Sequence, residues 1–268
     1  FKQKTAYEIR LSLVGSEMCI RDRVEDRLRD VRARHFSART PKTKQKYREQ
    51  DKELRTELAV LLRRDGFSGD TAAMLAAWDP YDQNASASFF DREWMFGLRD
   101  GFDIIIANPP YVRQEQISAL KPYLKATYPE TYSGTADLFV YFFHQGVKLL
   151  RSGGCMTYIS SNAWLQTNYA EPLRRFIRER TTVDSLLDLG NNRTFAAAPD
   201  VCPSIFLIRN VQPIADHRIA SVTFQRDDEL DLSSTALEAK AVAILQHDQP
   251  DTGWQIKDDS ERSVFKKL

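Results

Sequence analysis

The chain has 268 residues, 42% of them hydrophobic and 11% aromatic, which is enough for a sizeable core and too much for global disorder. With 38 Lys and Arg against 37 Asp and Glu the formal charge is +1, so no whole-chain field favours nucleic acid or a membrane surface, and any basic footprint has to be local. The longest purely apolar runs, residues 72–78 and 138–143, fall far short of the roughly 20 apolar residues of a spanning helix. Cys19, Cys155 and Cys202 are too widely spaced for a disulfide framework or a zinc site, which points to a reducing cytoplasm and no structural metal.

Residues 1–23 offer no cap and no clear period, and position 1 is not Met. The string SLVGSEMCIRDR resembles a translated sequencing-library adapter, so 1–23 is expected to be a non-native scar; the alternative is an ordinary strand and turn. The native chain is expected to extend upstream. Residues 31–48 then carry seven basic side chains and no acidic one. Over 44–64, Tyr47, Leu54, Leu58, Leu61 and Leu62 share one helical face, and Gly66 is placed to stop the helix. The basic residues suit either a solvated helix face or contacts to a DNA backbone, for which Arg32, Arg34, Lys42 and Lys44 are the candidates. A second helix spans 71–78, ended by Asp79-Pro80. Together 24–100 form a helical segment.

From residue 101 the pattern changes. The run 102–107 is nearly continuous and β-branched, the form of a strand buried on both faces of a parallel sheet. Leu138, Phe139, Phe142, Phe143, Gly146, Leu149 and Leu150 recur at helical spacing, with Gly153-Gly154 as the stop. A strand at 155–160, a helix at 172–178 and strands at 183–187 and 204–208 follow. This order predicts a doubly wound α/β sheet whose last two strands, lacking a crossover helix, pair antiparallel. Residues 213–268 read as a connector, with a short strand at 254–256 and a helix opening over 258–267 that stops in mid-pattern, as in a truncated chain.

Ligands of open α/β sheets bind beyond the carboxyl ends of the strands, and Asn108-Pro109-Pro110-Tyr111 stands at such an end. Two consecutive prolines fix the backbone and bring no N–H, so the turn offers an amide oxygen, a peptide carbonyl and an aromatic ring. That set suits a planar substrate bearing an amino group, which the oxygens accept from while the ring stacks on its face.

FDIIIANPPYVRQE resembles the catalytic loop of amino methyltransferases acting on adenine in DNA. WDPYDQNASASFFDREWMF before it, and YSGTADLFVYFFHQGVKLLRSGGCMTYISSNAW and LLDLGNNRTFAAAPDVCPSIFLIRN after it, are similar to the Eco57I-like methylase domain of type II restriction–modification enzymes. The likeness covers about 25–210 and the run-out TGWQIKDDSERSVFKKL. It implies a partial class I, Rossmann-like S-adenosylmethionine-dependent methyltransferase fold, with 24–100 as a helical insertion before the catalytic strand and 101–212 as the target-base-binding half. It further implies that Asn108 and Pro109 accept hydrogen bonds from the adenine amine, that Pro110 stiffens the turn, and that Tyr111 and Phe195 meet the two faces of a flipped base. Asn108 and Asp137 would line the junction with the cofactor, S-adenosylmethionine. Double-stranded DNA is the implied partner, and a restriction endonuclease on the parent chain or a partner protein is a further implication.

The sequence departs from the family in one respect. No Gly-rich turn after a strand, with an acidic residue ending the next strand, precedes Asn108, since Gly66-Phe67-Ser68-Gly69 follows a helix. The main cofactor motif is therefore expected upstream of this chain and a target-recognition domain beyond it, and the chain alone is expected neither to hold the cofactor well nor to methylate DNA. The same turn would also serve a protein-glutamine or ribosomal RNA methyltransferase, or remain as a rigid turn in a non-catalytic relic.

Overall fold

The computed structural model describes residues 18–256 apart from 83, 85, 86, 88, 191, 193, 194, 196–200, 226 and 227, and only the backbone of Met18 and Cys19. Residues 1–17 of the adapter-like stretch, and the helix expected over 258–267, lie outside the described residues. The chain divides into two compact units, 1–99 and 100–268.

The first unit is helical. Helix α1 (Met18–Ser37) begins inside the stretch read as a scar, and Arg21 there is buried with its guanidinium 3.3 Å from Asp65. Helix α2 (Pro41–Arg64) starts ahead of the apolar stripe because the Thr40 side chain accepts from the Thr43 amide and Pro41 fits the first turn. Gly66, at φ 88°, takes the left-handed turn that stops it. Helices α3 (Gly69–Ala77) and α4 (Arg92–Phe96) complete the unit. Leu54, Leu58 and Leu62 of α2 meet Val24 and Leu28 of α1 and Ala72 of α3 in a core of their own. Inside it Asp51, with no exposed surface, holds Arg32 at 2.8 Å and Arg55 at 2.6 Å. The same two guanidiniums donate to the Trp94 and Ala76 carbonyls, so one carboxylate ties four helices together.

The second unit is α/β. Strand β1 (Phe102–Ala107) leads through a long connection containing α5 (Lys121–Thr127) to α6 (Leu138–Leu149), which runs directly into β2 (Leu150–Ser161). Gly153-Gly154, expected to follow the helix, instead lies within β2. There the register against β1 jumps from Phe102↔Leu150 to Ile104↔Cys155, and a β-carbon on Gly154 would press on the Phe102 carbonyl, so the glycines serve a bulge. Helix α7 (Glu171–Arg180), β3 (Thr182–Asp188) and β4 (Pro203–Arg209) follow, then β5 (Arg218–Thr223), α8 (Ser234–Lys240) and β6 (Val242–Leu245). The strand order is β1-β2-β4-β3-β5-β6. β1 and β2 are parallel, β4 lies antiparallel between β2 and β3, and β5 is parallel to β3. The α/β sheet and the antiparallel last pair are thus as the sequence predicts. Residues 213–256, read as a connector, add two strands to this sheet.

β1 corrects one expectation. Among the described residues it is the edge strand of the sheet, and its two faces differ: Ile105 and Ala107 pack on the core, whereas Ile104 is 61% and Ile106 75% exposed. A run of isoleucines gives no alternation from which a one-sided strand could be read.

The core lies between the sheet and α6–α7. Phe143 stacks on Phe206 with ring centroids 4.4 Å apart, and Gly146 lets α6 sit so close to β2 that a β-carbon would overlap the Met156 sulfur and the Tyr158 hydroxyl. Residues 254–256 form no strand. Trp254 instead inserts fully buried against Trp164, its amide donating to the Leu165 carbonyl at 2.8 Å. Asp251 pairs with Arg178 at 2.6 Å and Arg175 at 2.9 Å, and its carbonyl accepts from buried Arg174, so the segment is clamped onto α7. A tryptophan with alternating polar neighbours reads as a strand, but here fixed hydrogen bonds to a 3₁₀ turn replace a ladder.

His144 on α6 stacks on Phe176 and shares a hydrogen bond with Thr131, and burial holds its imidazole at about 4, well below the ordinary 6.5. The unfolded chain binds that proton first, so this stability is present above pH 6.5 and is lost as the pH falls toward 4. Urea midpoints of the chain should drop over that window, and His144→Phe should flatten the drop.

Candidate active site

The turn after β1 is positioned by the sheet. Ala107 pairs with Tyr158, Ser161 with Pro203 and Asp188 with Ser204, which puts Asn108, Asn162 and Asp188 along the same end, that of the carboxyl termini of β1, β2 and β3. Asn108 is exposed, Pro109 buried, and neither the Asn108 side chain nor the Pro109 carbonyl has a hydrogen-bond partner among the described residues. The Pro110 carbonyl is used: it accepts from the Val112 amide at 3.0 Å and closes the turn. Two acceptors in a proline-stiffened backbone are therefore left without a partner among the described residues.

Tyr111 and Phe195, 84 positions apart in the sequence numbering, meet with ring centroids 6.1 Å apart and planes at 60°. A flat ring held between two parallel rings needs about 7 Å, twice the 3.5–4.0 Å contact distance of carbon atoms, so these two would have to part and turn toward parallel to hold one. Burial raises the Tyr111 phenol above its ordinary value, and its hydroxyl has no partner among the described residues.

Two carboxylates hold this arrangement, each by a route the sequence does not display. Asp137 stands before α6 but does not cap it. One of its oxygens accepts from the Gln114 amide at 3.0 Å and the other from the Tyr169 hydroxyl at 3.2 Å, while the adjoining Leu138 amide donates to the Val112 carbonyl. Lys121 closes the loop through Gln114 at 2.6 Å. Burial, and next the charge of Asp137, push the Tyr169 phenol up to about 12, so it stays protonated and donates. Asp188, ending β3, accepts from Asn162 at 2.9 Å and from the Gly190 amide at 3.0 Å, fixing the start of the connection that carries Phe195. Gly190 adopts φ 58° against the Phe224 carbonyl, where any side chain would collide. Gln114, Tyr169, Asn162 and Asp188 lie outside the residues singled out from the sequence. Gln114, Asn162 and Asp188 fall within the motifs that carry the family resemblance and Tyr169 does not, and no spacing rule links them.

The candidate DNA contacts separate. Arg32 is 8% exposed, its guanidinium spent on Asp51 and the Trp94 carbonyl, so it is turned away from any phosphate. Exposed Arg34 is paired with Asp30 at 2.9 Å. Lys42 is exposed and Lys44 half-buried, and neither has a carboxylate partner among the described residues.

Comparison with known proteins places this geometry. The family model for the Eco57I restriction-modification methylase matches residues 2–195. The chain belongs to the Eco57I restriction-modification methylase family. It is 29% identical over 173 residues to the type II methyltransferase M.XhoI of Xanthomonas vasicola, covering 62% of this chain and 32% of that one. It is 30% identical over 152 residues to the type II methyltransferase M.PaeR7I of Pseudomonas aeruginosa, covering 56% and 25%. The adenine-specific methyltransferase BrxX of Escherichia coli is 26% identical over 103 residues, covering 38% and 8%. The chain thus spans a third or less of the curated relatives it matches. A solved type I restriction-modification methyltransferase subunit of Streptococcus thermophilus aligns over 55% of this chain and 32% of its own at 13% identity and a TM-score of 0.38, a partial likeness. The mixed sheet and the family together give the class I methyltransferase fold, present in part.

S-adenosylmethionine is the cofactor this family implies. The described residues before β1 are helices and turns, with no strand to carry a Gly-rich turn or a terminal acid, and the Asp137 carboxylate is engaged by Gln114 and Tyr169. The described residues therefore do not make up a cofactor site by themselves. No group of three His, Cys, Asp or Glu side chains among them could hold a metal ion.

Removing the Asp137 carboxylate should free the loop. In Asp137→Ala the Gln114 amide is expected to exchange its hydrogen roughly ten- to a hundredfold faster, the worth of a hydrogen bond to a charged acceptor, while amides of β3 and β4 keep their protection.

Proposed function

We propose that the protein is the base-binding part of a site-specific DNA adenine-N6 methyltransferase of a restriction–modification system. The observation that carries this reading is the pair of unpartnered acceptors, Asn108 and Pro109, at the strand end beside the Tyr111–Phe195 ring contact. Adenine offers what that arrangement lacks: an amine with two N–H donors on a flat ring. Asn108 Oδ1 and the Pro109 carbonyl accept hydrogen bonds from those two N–H groups, which draws the nitrogen lone pair out of conjugation and aims it away from the turn. Tyr111 stacks on one face of the extruded base and Phe195 meets the other, worth about 1–3 kcal/mol per base against the few kcal/mol of extrusion. S-adenosylmethionine, when bound, supplies the electrophilic methyl group. Lys42 and Lys44 are assigned to the DNA backbone, and double-stranded DNA is the substrate.

The names of the relatives support the reaction class, and that of BrxX supports adenine as the base. Pre-organised acceptors of this kind contribute about 3 kcal/mol each, so Asn108→Ala in the complete enzyme should lower turnover by roughly a hundred- to a thousandfold while DNA binding persists. Long-read sequencing of native DNA from cells carrying the gene, with and without that substitution, reads the outcome. Adenine modification at a fixed motif that survives Asn108→Ala would remove the turn from the chemistry.

A further inference from the structure

The helical unit has a concavity of its own. A cavity of about 320 Å³ is lined by Phe36 of α1, Trp78, and Met95 and Phe96 of α4, with Arg29 and Arg32 in its wall. That is the lower end of the roughly 300–1,000 Å³ of small-ligand sites. Its rings are unusually open: Phe36 is 70% and Phe96 52% exposed, and Phe90, 54% exposed, touches Phe96 with centroids 6.2 Å apart. Trp78 meets Phe96 edge-on at 6.2 Å. A solvent-facing cluster of aromatic rings in a water-soluble unit marks a surface that another molecule covers.

The charges beside it indicate the kind of molecule. Phe36 contacts Tyr81, and the Arg48 guanidinium lies 5.4 Å over the Tyr81 ring, so the cavity is continuous with the tip of the α1–α2 hairpin. That tip carries Arg39, Lys42, Lys44, Lys46 and Arg48, none with a carboxylate partner among the described residues. By contrast Arg27, Arg29 and Arg34 of α1 each have one, at 3.6, 2.9 and 2.9 Å. Arg23, Lys52, Arg63 and Arg64 elsewhere on these helices likewise have no carboxylate partner among the described residues, so the tip is set apart by density, with five cations and no acidic residue over 39–48. Unpaired cations continuous with open aromatic faces match a polyanion whose repeating units are flat rings.

We infer that this cavity is a second nucleic-acid site, which takes an unstacked base of a single strand against Phe36, Trp78 and Phe96 while the hairpin tip holds the flanking phosphates. A duplex keeps its bases stacked on one another, so it reaches the cations but not the rings. The inference does not rest on methyl transfer, and its test needs no cofactor.

The full chain is titrated with a short oligothymidylate and with a duplex of equal length at low salt, following tryptophan emission. Trp164 and Trp254 have no exposed surface, so a change reports on Trp78 and Trp94. The single strand should quench emission and bind more tightly than the duplex. Phe96→Ala and Phe36→Ala, both at exposed positions and checked for folding by circular dichroism, should each weaken single-strand binding about tenfold and leave duplex binding unchanged. Lys42→Glu with Lys46→Glu should weaken both and lower the salt dependence. Equal binding of the two DNAs with no effect of either Phe substitution would overturn the inference, as would no binding of either. Displacement of the strand by an acidic copolymer of Glu and Tyr at equal charge would also overturn it and assign the cavity to an acidic peptide.

Discussion

The parallel pairing of β1 with β2 is the constraint on which the candidate site depends. Among the described residues β1 has one sheet neighbour, and the register Ile104↔Cys155 through Ala107↔Tyr158 sets where Asn108 stands at the end of the sheet. A slip of one residue would turn Ile105 and Ala107 out of the core and rotate the two prolines with them. The bulge at Gly153-Gly154 lets the long β2 leave α6 and still meet β1 in this register, and Gly146 brings α6 close enough to hold β2 in place. The glycines thus serve the turn at a distance, by setting the spacing of the layer beneath it.

With the register fixed, the turn is held from two sides by acidic groups that are themselves hydrogen-bonded. Asp137 anchors the chain leaving Tyr111, and Asp188 anchors the chain approaching Phe195. Each carboxylate accepts from backbone amide and side chain together, which orders two loops at about 1.5–3 kcal/mol for each charged hydrogen bond. Between them, the Asn108 side chain and the Pro109 carbonyl make no hydrogen bond among the described residues. This division is what an acceptor site requires: its neighbours are satisfied so that it can remain unsatisfied until a donor arrives.

Much of this was legible in the sequence. The helical period of Leu54, Leu58 and Leu62, the left-handed stop at Gly66, the phenylalanine stripe of α6 and the antiparallel final pair all follow from local rules. Tyr111 and Phe195 are brought into one site by the family resemblance alone, since no local pattern links them, and their rings lie 6.1 Å apart. What was hidden is of another kind. The exposure of Ile104 and Ile106 depends on what lies beside β1, which no property of an isoleucine run reports. Strands β5 and β6 are short and partly polar, and their place is set by contacts such as Gln246, whose amide bonds Val183, Arg178 and Thr181 from more than sixty residues away. Arg32 reads as one cation in a basic run. Only the buried position of Asp51, on the next helix, turns it inward.

The outer side of β1 is a place where a further strand can pair. FDIIIA is a short stretch of high β propensity, and on its outer edge the backbone N–H and C=O groups face no strand among the described residues. A foreign strand laid there would find a ready ladder and two isoleucine side chains to pack on. A strand paired there would end beside Asn108, so whatever occupies this edge stands next to the acceptor turn.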